Sequence, residues 1–327
     1  MKYRQLGRTG FEVSEISLGT WQVGGRWGEP FSHQNADEIL NTAVDQGINF
    51  IDTADVYGDG ESEKAVGRLV KSRSEKIYVA TKCGRKLAPH INASYTPEAL
   101  RRFVEDSLKH MELETLDLIQ LHCPPTEVYY RPEIFSEFDR LIREGKIQKL
   151  GVSVEKVEEA LKAIEYDNVD TVQIIFNIFR QRPAELFFRE ALKKNIGIIV
   201  RVPLASGLLS GKFSKETIFS KDDHRNFNRH GQAFDKGETF SGVDYELGLE
   251  AVEAIKKIAS ETPLALLALK WILAFEAVDC VIPGASHVDQ LLNNMKASDL
   301  PPPDSHKVNA IREIYEKLIK DQVHHRW

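Results

Sequence analysis

The feature that most limits how this sequence can fold is an alternation of short apolar runs with stretches of helical periodicity. The apolar runs are Ile16–Thr20, Asn49–Thr53, Ile77–Lys82, Asp117–His122, Lys149–Ser153, Val172–Phe176, Ile198–Val202 and Val278–Pro283. Runs of this kind are typical of strands that are buried on both faces of a parallel sheet. Eight strands that alternate with helices predict a closed (β/α)8 TIM barrel. The alternative is an open doubly wound sheet, which is disfavoured because no GxGxxG motif follows the first strands.

The helical stretches carry start signals. Thr96 followed by Pro97 is typical of an N-cap and the first helical residue, and Pro132 and Pro183 each predict the start of a further helix. Apolar residues at helical spacing over 288–295 predict another. The length of 327 residues therefore fits one barrel domain over residues 1–327.

Two segments do not fit the alternation. Residues 1–14 read as a β-hairpin that turns around Arg8–Gly10, and we expect this hairpin to cover the bottom of the barrel. Residues 206–242 form a long connection after the seventh strand, rich in glycine, serine and charged residues. A structureless connection of this length inside a domain is usually functional.

Composition excludes several classes of protein. The net charge of −6, without a basic stripe, argues against a nucleic-acid partner. The longest apolar stretch, Pro263–Phe275, contains Lys270 and is too short to span a membrane, and the amino terminus shows no secretory signal. Three scattered cysteines predict neither disulfides nor a metal site, so we expect a cytoplasmic protein.

Polar residues at the ends of the predicted strands carry the chemistry. Asp52, Lys82 and His122 end the second, third and fourth strands, and Tyr57 follows the second. Because the carboxyl ends of the strands meet at one mouth, we expect these four side chains to converge. A Lys82–Asp52 pair would satisfy two costly buried charges, and the cation would lower the pKa of Tyr57. Tyr57 could then act as a general acid toward a carbonyl oxygen that His122 orients.

The same residues lie in motifs that resemble a known family. The run Asp52–Glu63, Lys82 in VATK, His122 in LHCP, the GVS of 151–153 and the IPGAS of 282–286 are similar to motifs of the aldo-keto reductases. The resemblance covers roughly residues 1–300 and is nearest to the potassium-channel β-subunit-like and bacterial general stress branch. It implies an NADP(H)-dependent reductase of aldehydes or ketones, with the catalytic tetrad Asp52, Tyr57, Lys82 and His122 and with Tyr57 as the proton donor.

The resemblance also implies a set of cofactor-binding residues. In chain order, these are Gly19, Thr20, Trp21, Asp52, Ser153, Gln173, Arg201, Val202, Pro203, Leu204, Ser206, Gly207, Leu208, Ser210, Lys212, Arg225, Gly284, Ser286, Gln290, Asn293 and Asn294. The residues from 19 to 21 would lie near the nicotinamide, and Ser153 and Gln173 would hold its carboxamide. The residues from 204 to 212 would line the pyrophosphate, and those from 284 to 294 would face the adenosine and its 2′-phosphate.

Three positions depart from the pattern of many relatives. Arg201 stands where an aromatic residue stacks on the nicotinamide, and its positive charge would favour the reduced, neutral cofactor. Val154 replaces an asparagine after Ser153, and Gly284 and Gln290 replace basic residues. A preference for NADP over NAD therefore rests on backbone N–H groups, Ser286 and a nearby cation such as Lys212 or Arg225.

Several alternatives stay open at this level. Lys82 could form a Schiff base in a lyase, or the chain could be a regulatory subunit that binds the cofactor without turnover. The partner is a small carbonyl substrate of unknown identity, recognised by loops 22–33, 84–95, 124–131 and 206–240. Trp21 and Trp27 could be packing residues or one wall of the pocket, and Cys83 and Cys123 inert or redox-active. The oligomeric state is open between a monomer and a loop-mediated dimer.

Overall fold

The computed structural model describes residues 1–25 and 28–327 and contains one sheet of eight parallel strands in chain order. The strands are β3 (Leu18–Gly19), β4 (Phe50–Asp52), β5 (Tyr78–Cys83), β6 (Leu116–His122), β7 (Ile147–Ser153), β8 (Val169–Ile175), β9 (Gly197–Arg201) and β10 (Cys280–Val281). Parallel bridges from Ile16 to Val281 and from Gly19 to Gly284 join the first strand to the last. The predicted (β/α)8 barrel is confirmed.

Helices connect the strands and extend beyond the last one. They are α1 (His33–Asp45), α2 (Glu61–Ser72), α3 (Pro97–Met111), α4 (Pro132–Arg143), α5 (Val157–Ala163), α6 (Phe187–Lys194), α7 (His224–Phe227), α8 (Tyr245–Ala259), α9 (Leu264–Leu273), α10 (Val288–Met295), α11 (Ser305–Ile314) and α12 (Lys320–Val323). As predicted, the Thr96 side chain caps α3, and α4 begins at Pro132.

The prediction that Pro183 begins an α-helix is wrong. Residues Arg182–Ala184 form a single 3₁₀ turn, and α6 begins at Phe187. The backbone N–H groups of Ala184 and Glu185 each bond to the carbonyl three residues earlier, which gives the tighter winding of a 3₁₀ turn.

The amino-terminal hairpin closes the bottom of the barrel, as predicted. Strands β1 (Tyr3–Gln5) and β2 (Glu12–Ser14) pair antiparallel, and Gly10 ends the turn at a φ of 80°. Leu6, Phe11 and Val13 from the hairpin form a buried cluster with Phe50, Ala80, Leu118, Ile199 and Cys280, which come from barrel strands. Since this end is covered, a site has to form at the carboxyl ends of the strands.

The connection over 206–242 is not structureless, contrary to the prediction. It contains α7 and three short 3₁₀ segments, Ala205–Ser210, Lys236–Glu238 and Phe240–Gly242. Trp327 anchors its last part: the indole Nε1 donates to Asp235 Oδ1 at 2.9 Å, and the ring lies 4.1 Å from the Arg180 guanidinium. A Cβ on Gly242 would approach this ring to 2.4 Å, so Trp327 fits against a bare backbone.

In the described ranges of the chain, no helix is long and apolar enough to cross a membrane. The apolar stretch near residue 270 is α9, whose Lys270 Nζ lies 3.5 Å from Glu15 beneath the barrel.

Candidate active site

Four polar side chains meet at the mouth of the barrel, in the arrangement that the strand ends predict. Asp52 is the last residue of β4, Lys82 is the next-to-last of β5, and His122 is the last of β6. Tyr57 begins a 3₁₀ turn that follows β4. Because neighbouring parallel strands hold these positions side by side, the four groups come together without help from a distant segment.

Lys82 lies at the centre of this group and is almost fully buried. Its Nζ donates to Asp52 Oδ2 at 2.6 Å, to the Thr53 carbonyl at 2.7 Å and to the Tyr57 hydroxyl at 3.2 Å. All three ammonium hydrogens therefore have acceptors. Burial alone would lower the pKa of Lys82, but the charge and hydrogen bond of Asp52 outweigh it and raise the pKa above its usual value. Lys82 is a fixed cation.

Tyr57 departs from one prediction. Burial raises the pKa of its phenol above the usual value, and the opposing charge of Lys82 only reduces that rise. The expectation of a net lowered pKa is wrong because desolvation of the phenolate outweighs one neighbouring cation. The group is therefore a neutral O–H donor beside a cation that can stabilise negative charge left on the oxygen.

His122 faces Tyr57 edge to face, with the ring centroids 6.2 Å apart. Burial first, and then the positive charges of Lys82, Arg85 and Arg201, lower the pKa of His122 well below its usual value. Its Nδ1 is buried and has no hydrogen-bond partner within the described residues. A neutral imidazole in this position carries one N–H donor toward the mouth or the interior, depending on its tautomer.

Two glutamines complete the surroundings of Asp52. Gln120 Nε2 and Gln173 Nε2 donate to Asp52 Oδ1 at 3.1 and 2.7 Å, and Gln173 also donates to Gln120 Oε1 at 3.2 Å. Gln120 was not among the residues expected from the sequence. Its position in the sequence could have indicated it: Gln120 lies two residues before His122, and alternate residues of a strand point to the same face.

The residues predicted to hold a carboxamide, Ser153 and Gln173, lie side by side. Gln173 Oε1 accepts only a long hydrogen bond of 3.5 Å from Ser153 Oγ, while both amide hydrogens of Gln173 are already used. One carbonyl acceptor and one hydroxyl donor thus remain side by side. A primary carboxamide, which has an N–H donor and a C=O acceptor, matches this pair.

The predicted residues of the first loop lie beside Tyr57. The Trp21 ring stacks near Tyr57 with centroids 6.1 Å apart, and it also contacts His224 and Phe234 of the 206–242 connection. Thr20 Oγ1 donates to the Asp52 carbonyl at 3.0 Å and so supports the strand. Trp27 lies outside the described residues.

The segment after β9 has an unusual backbone. Val202 and Ser206 have φ values of 52° and 54°, in the left-handed region that β-branched residues in particular avoid. Ser206 Oγ donates to the Glu238 carbonyl at 3.0 Å and accepts from Phe240 N–H at 3.1 Å. Strain that surrounding contacts hold in place is common at ligand-binding loops. The predicted Pro203, Leu204, Gly207 and Ser210 belong to the same turn.

Three further predicted residues lie around this turn in different environments. The Leu208 side chain is buried in the core, so only its backbone could contact a cofactor, and Lys212 is exposed. Arg225 lies beside Gly207, and its Nε donates to Asp223 Oδ1 at 2.9 Å. Arg225 also stacks 4.7 Å from the centre of the Phe219 ring, so its guanidinium is held in one orientation.

The predicted adenosine-end residues make three separate side-chain contacts. Gln290 Oε1 accepts from the backbone N–H of Ser286 at 3.1 Å and lies 3.3 Å from its hydroxyl. Asn294 Nδ2 donates to the Gly284 carbonyl at 3.4 Å. Asn293 Oδ1 accepts from Lys296 Nζ at 2.8 Å. Lys296, one helical turn after Asn293, was not predicted from the sequence, and it places a cation beside Asn293.

The charge of Arg201, which is expected to favour reduced cofactor, is paired in the structure. Its Nη2 donates to Glu155 Oε2 at 3.0 Å and to the Val154 carbonyl at 3.1 Å, and Glu238 lies 3.8 Å from Nη1. The guanidinium is therefore paired with a carboxylate. A bias toward reduced cofactor that depends on an uncompensated charge at Arg201 is not supported by this arrangement.

Comparison with known proteins agrees with the geometry. The model of the Aldo/keto reductase family matches residues 15–316. The chain belongs to this family. Its members are oxidoreductases, and nicotinamide-dependent carbonyl reduction is their general reaction. This chain is thus a member of an oxidoreductase family, and the family implies that it binds a nicotinamide cofactor.

Individual relatives match over nearly the whole length. Aldo-keto reductase YhdN of Bacillus subtilis is 31% identical, over 99% of this chain and 96% of the relative. A probable voltage-gated potassium channel subunit beta of Oryza sativa is 28% identical, over 92% of each chain. The solved structure of glycerol dehydrogenase AKR11B4 from Gluconobacter oxydans superposes with a TM-score of 0.79 at 30% identity, over 97% of this chain and 96% of that one. The resemblance to both branches named above is confirmed.

Proposed function

We propose that this aldo-keto reductase is an NADPH-dependent enzyme that reduces an aldehyde or ketone to an alcohol, with Tyr57 as the proton donor. The observation that supports this best is the position of Lys82 Nζ between Asp52 Oδ2 and the Tyr57 hydroxyl. A buried cation that is held by a carboxylate and bonded to a phenol is suited to proton donation, because it stabilises the phenolate that remains.

The proton step follows from these contacts. The Tyr57 O–H donates its proton to the substrate oxygen, which is becoming an alkoxide, and the negative charge moves to the phenolate beside Lys82. Asp52 keeps Lys82 charged, and Gln120 and Gln173 hold Asp52 in place. A neutral His122 can donate an N–H hydrogen bond to the same oxygen and orient it.

The predicted cofactor residues suit a nicotinamide dinucleotide. Ser153 and Gln173 would hold the carboxamide, the turn after β9 would follow the pyrophosphate with Arg225 beside it, and the residues around Ser286 would face the adenosine. Lys296 would favour a 2′-phosphate and hence NADPH. When bound, the reduced nicotinamide supplies the hydride that reaches the carbonyl carbon.

The rival chemistry at Lys82 has less support. A Schiff-base lyase requires a neutral amine that can attack a carbonyl. The raised pKa of Lys82 and the acceptors around all three of its hydrogens oppose this state. A non-catalytic cofactor-binding subunit stays a second candidate because the rice relative bears the name of a channel subunit.

The test compares Tyr57→Phe with the wild type under saturating NADPH. We expect kcat to fall by roughly 10²-fold or more, because the donor oxygen is lost. Binding of NADPH, followed by quenching of tryptophan fluorescence, should be nearly unchanged and tighter than binding of NADH. Tyr3→Phe is the matched control, since the Tyr3 side chain is exposed in the hairpin at the opposite end of the barrel.

Each outcome has a clear reading. A near-normal kcat in Tyr57→Phe would remove the proposed proton donor. Tight cofactor binding by the wild type without turnover of any aldehyde or ketone would favour the regulatory subunit. Equal affinities for NADPH and NADH would contradict the proposed role of Lys296.

A further inference from the structure

A second cluster of charges lies beside the tetrad at the barrel mouth. Its members are Arg85, Glu155, Arg201 and Glu238. Arg85 comes three residues after Lys82 in the loop that follows β5. Arg201 Nη2 lies 3.5 Å from the Sγ of Cys123, the residue after His122. The cluster therefore adjoins the place where the proposed reaction occurs.

The contacts within the cluster are of unequal quality. Arg201 and Glu155 form a hydrogen-bonded pair at 3.0 Å. Within residues 1–25 and 28–327, Arg85 has only long contacts, 3.4 Å to Glu238 and 3.9 Å to Glu155. The Arg85 side chain is also 21% exposed, whereas the Glu155, Arg201 and Glu238 side chains are 11–12% exposed. Of the two arginines in the cluster, Arg85 is thus the more accessible and the more weakly paired.

The charge balance leaves room for an anion. Burial and the nearby charge of Glu155 raise the pKa of Glu238, so Glu238 tends to stay protonated. Burial alone would raise the pKa of Glu155, but the charge of Arg201 and the neighbouring Glu238 outweigh it and lower the pKa. Two guanidinium groups then face one carboxylate charge, and a second carboxylate from outside would complete the balance.

We infer that Arg85 binds a carboxylate on the substrate. The inference rests on the proposed function and narrows its substrate class to aldehydes or ketones that carry a carboxylate. A guanidinium binds a carboxylate through two parallel N–H···O bonds, a geometry that Glu238 does not reach in its long contact. A carboxylate held at Arg85 would direct the carbonyl of the same molecule toward Tyr57 and His122.

The experiment uses two pairs of aldehydes that differ only in the carboxylate: succinic semialdehyde against butanal, and 4-carboxybenzaldehyde against benzaldehyde. For the wild-type holoenzyme, we expect kcat/KM to be at least about tenfold higher for the carboxylated member of one pair or both. Arg85→Gln should abolish this preference through KM, while kcat/KM for the uncharged aldehydes changes little. Arg85→Lys should restore part of it, because a charge is kept without the bidentate geometry.

Two further variants distinguish a direct contact between Arg85 and the substrate carboxylate from a general attraction by the positive charge of the loop. Lys86→Gln removes the same charge from the next position of the loop, where Lys86 pairs with Asp59, and should leave the preference intact. Glu238→Gln keeps both the shape and the neutral state that the raised pKa gives Glu238, so KM for the carboxylated aldehydes should change little at neutral pH. Melting temperatures of all variants show whether each one is folded.

The results discriminate sharply. Equal kcat/KM within both pairs for the wild type would overturn the inference while leaving the proposed reductase in place. An equal loss for charged and uncharged aldehydes in Arg85→Gln, with a normal melting temperature, would also overturn it. Absence of turnover for all four aldehydes, in a protein that binds NADPH, would overturn the inference, and the proposed reductase would fall with it only if no other aldehyde or ketone were reduced.

Discussion

Two groups of buried charge lie side by side at the mouth of this barrel, and they are built differently. The Asp52–Lys82 pair has a contact of 2.6 Å, side chains at most 2% exposed, and residues that come from two adjacent strands. The cluster around Arg85 has contacts of 3.0 to 3.9 Å, and one member, Glu238, comes from the long 206–242 connection. The hydrogen bonds of the sheet fix the position of a charged residue on a strand, whereas a charged residue on a loop is only as fixed as the loop.

The difference has a chemical consequence. A proton donor has to be kept in one place, because misplacement by 1 Å can cost about 10²-fold in rate. A group that recognises a substrate has to exchange partners, and weak pairing makes such an exchange easier. The tight pair therefore suits the proton step, and the loose cluster suits recognition.

The sharpest test of the tight pair is Lys82→Met. We expect activity to be lost by roughly 10³-fold and the free energy of unfolding to fall by about 3–5 kcal/mol, because Asp52 keeps a buried charge without a partner. The double variant Asp52→Asn/Lys82→Met should recover most of the stability and none of the activity. Urea denaturation and steady-state rates measure the two effects, and a single variant as stable as the double one would contradict the description of this pair.

A smaller effect is expected where the loop is anchored. Trp327→Ala should lower the free energy of unfolding by about 3 kcal/mol and should make residues 206–242 more sensitive to limited proteolysis. Glu238 lies between the Trp327 contacts at Asp235 and Gly242, so KM should change more than kcat. Trp327→Phe is the matched control, since it keeps an aromatic ring over Arg180 and loses only the hydrogen bond to Asp235. Unaltered cleavage of the connection in Trp327→Ala would show that the anchor lies elsewhere.

The smallest effect concerns the pH dependence of the loose cluster. The pKa of Glu238 is raised in the folded protein by burial and by Glu155, so the folded state holds a proton that the unfolded state releases. This contribution to stability is present below the usual glutamate pKa of 4.5 and is lost as the pH rises to the raised value. Relative to Glu238→Gln, which cannot ionise, the wild type should therefore lose about 1 kcal/mol or more across this range.

Urea denaturation of both proteins at several pH values measures that difference. A constant difference between wild type and Glu238→Gln would mean that Glu238 is ionised in the folded state, with Arg85 and Arg201 as its full partners. The charge balance that supports the substrate inference would then be wrong.

Much of the fold and of the tetrad could be predicted from the sequence. Eight apolar runs were enough for the barrel, because a strand buried on both faces has to be apolar nearly throughout. The tetrad followed because Asp52, Lys82 and His122 end successive strands, and parallel strands bring their carboxyl ends to one edge. The hairpin over the barrel bottom followed from its turn and alternating residues.

Other features could not be predicted, for physical reasons. The pKa of Tyr57 is the balance of burial and one cation, and a sequence does not show the depth of burial. The pairing of Arg201 could not be predicted either. Its partners Glu155 and Glu238 lie in loops, and only the folding of these loops brings them to the guanidinium. Gln120 was not predicted because its partner, Asp52, lies on another strand, and the sequence does not show which side chains meet inside the barrel.

The sequence by itself therefore determined the order of strands, the closed barrel and the convergence of Asp52, Tyr57, Lys82 and His122. These features depend on the periodicity of residues and on the common direction of parallel strands. Only the tertiary structure decided which charges are paired, which are protonated and which segment holds Glu238 at the mouth. Pairing and protonation depend on distances between residues that are far apart in the chain, such as Trp327 and Asp235. They also depend on the loss of water around buried groups. A local pattern of residues shows neither.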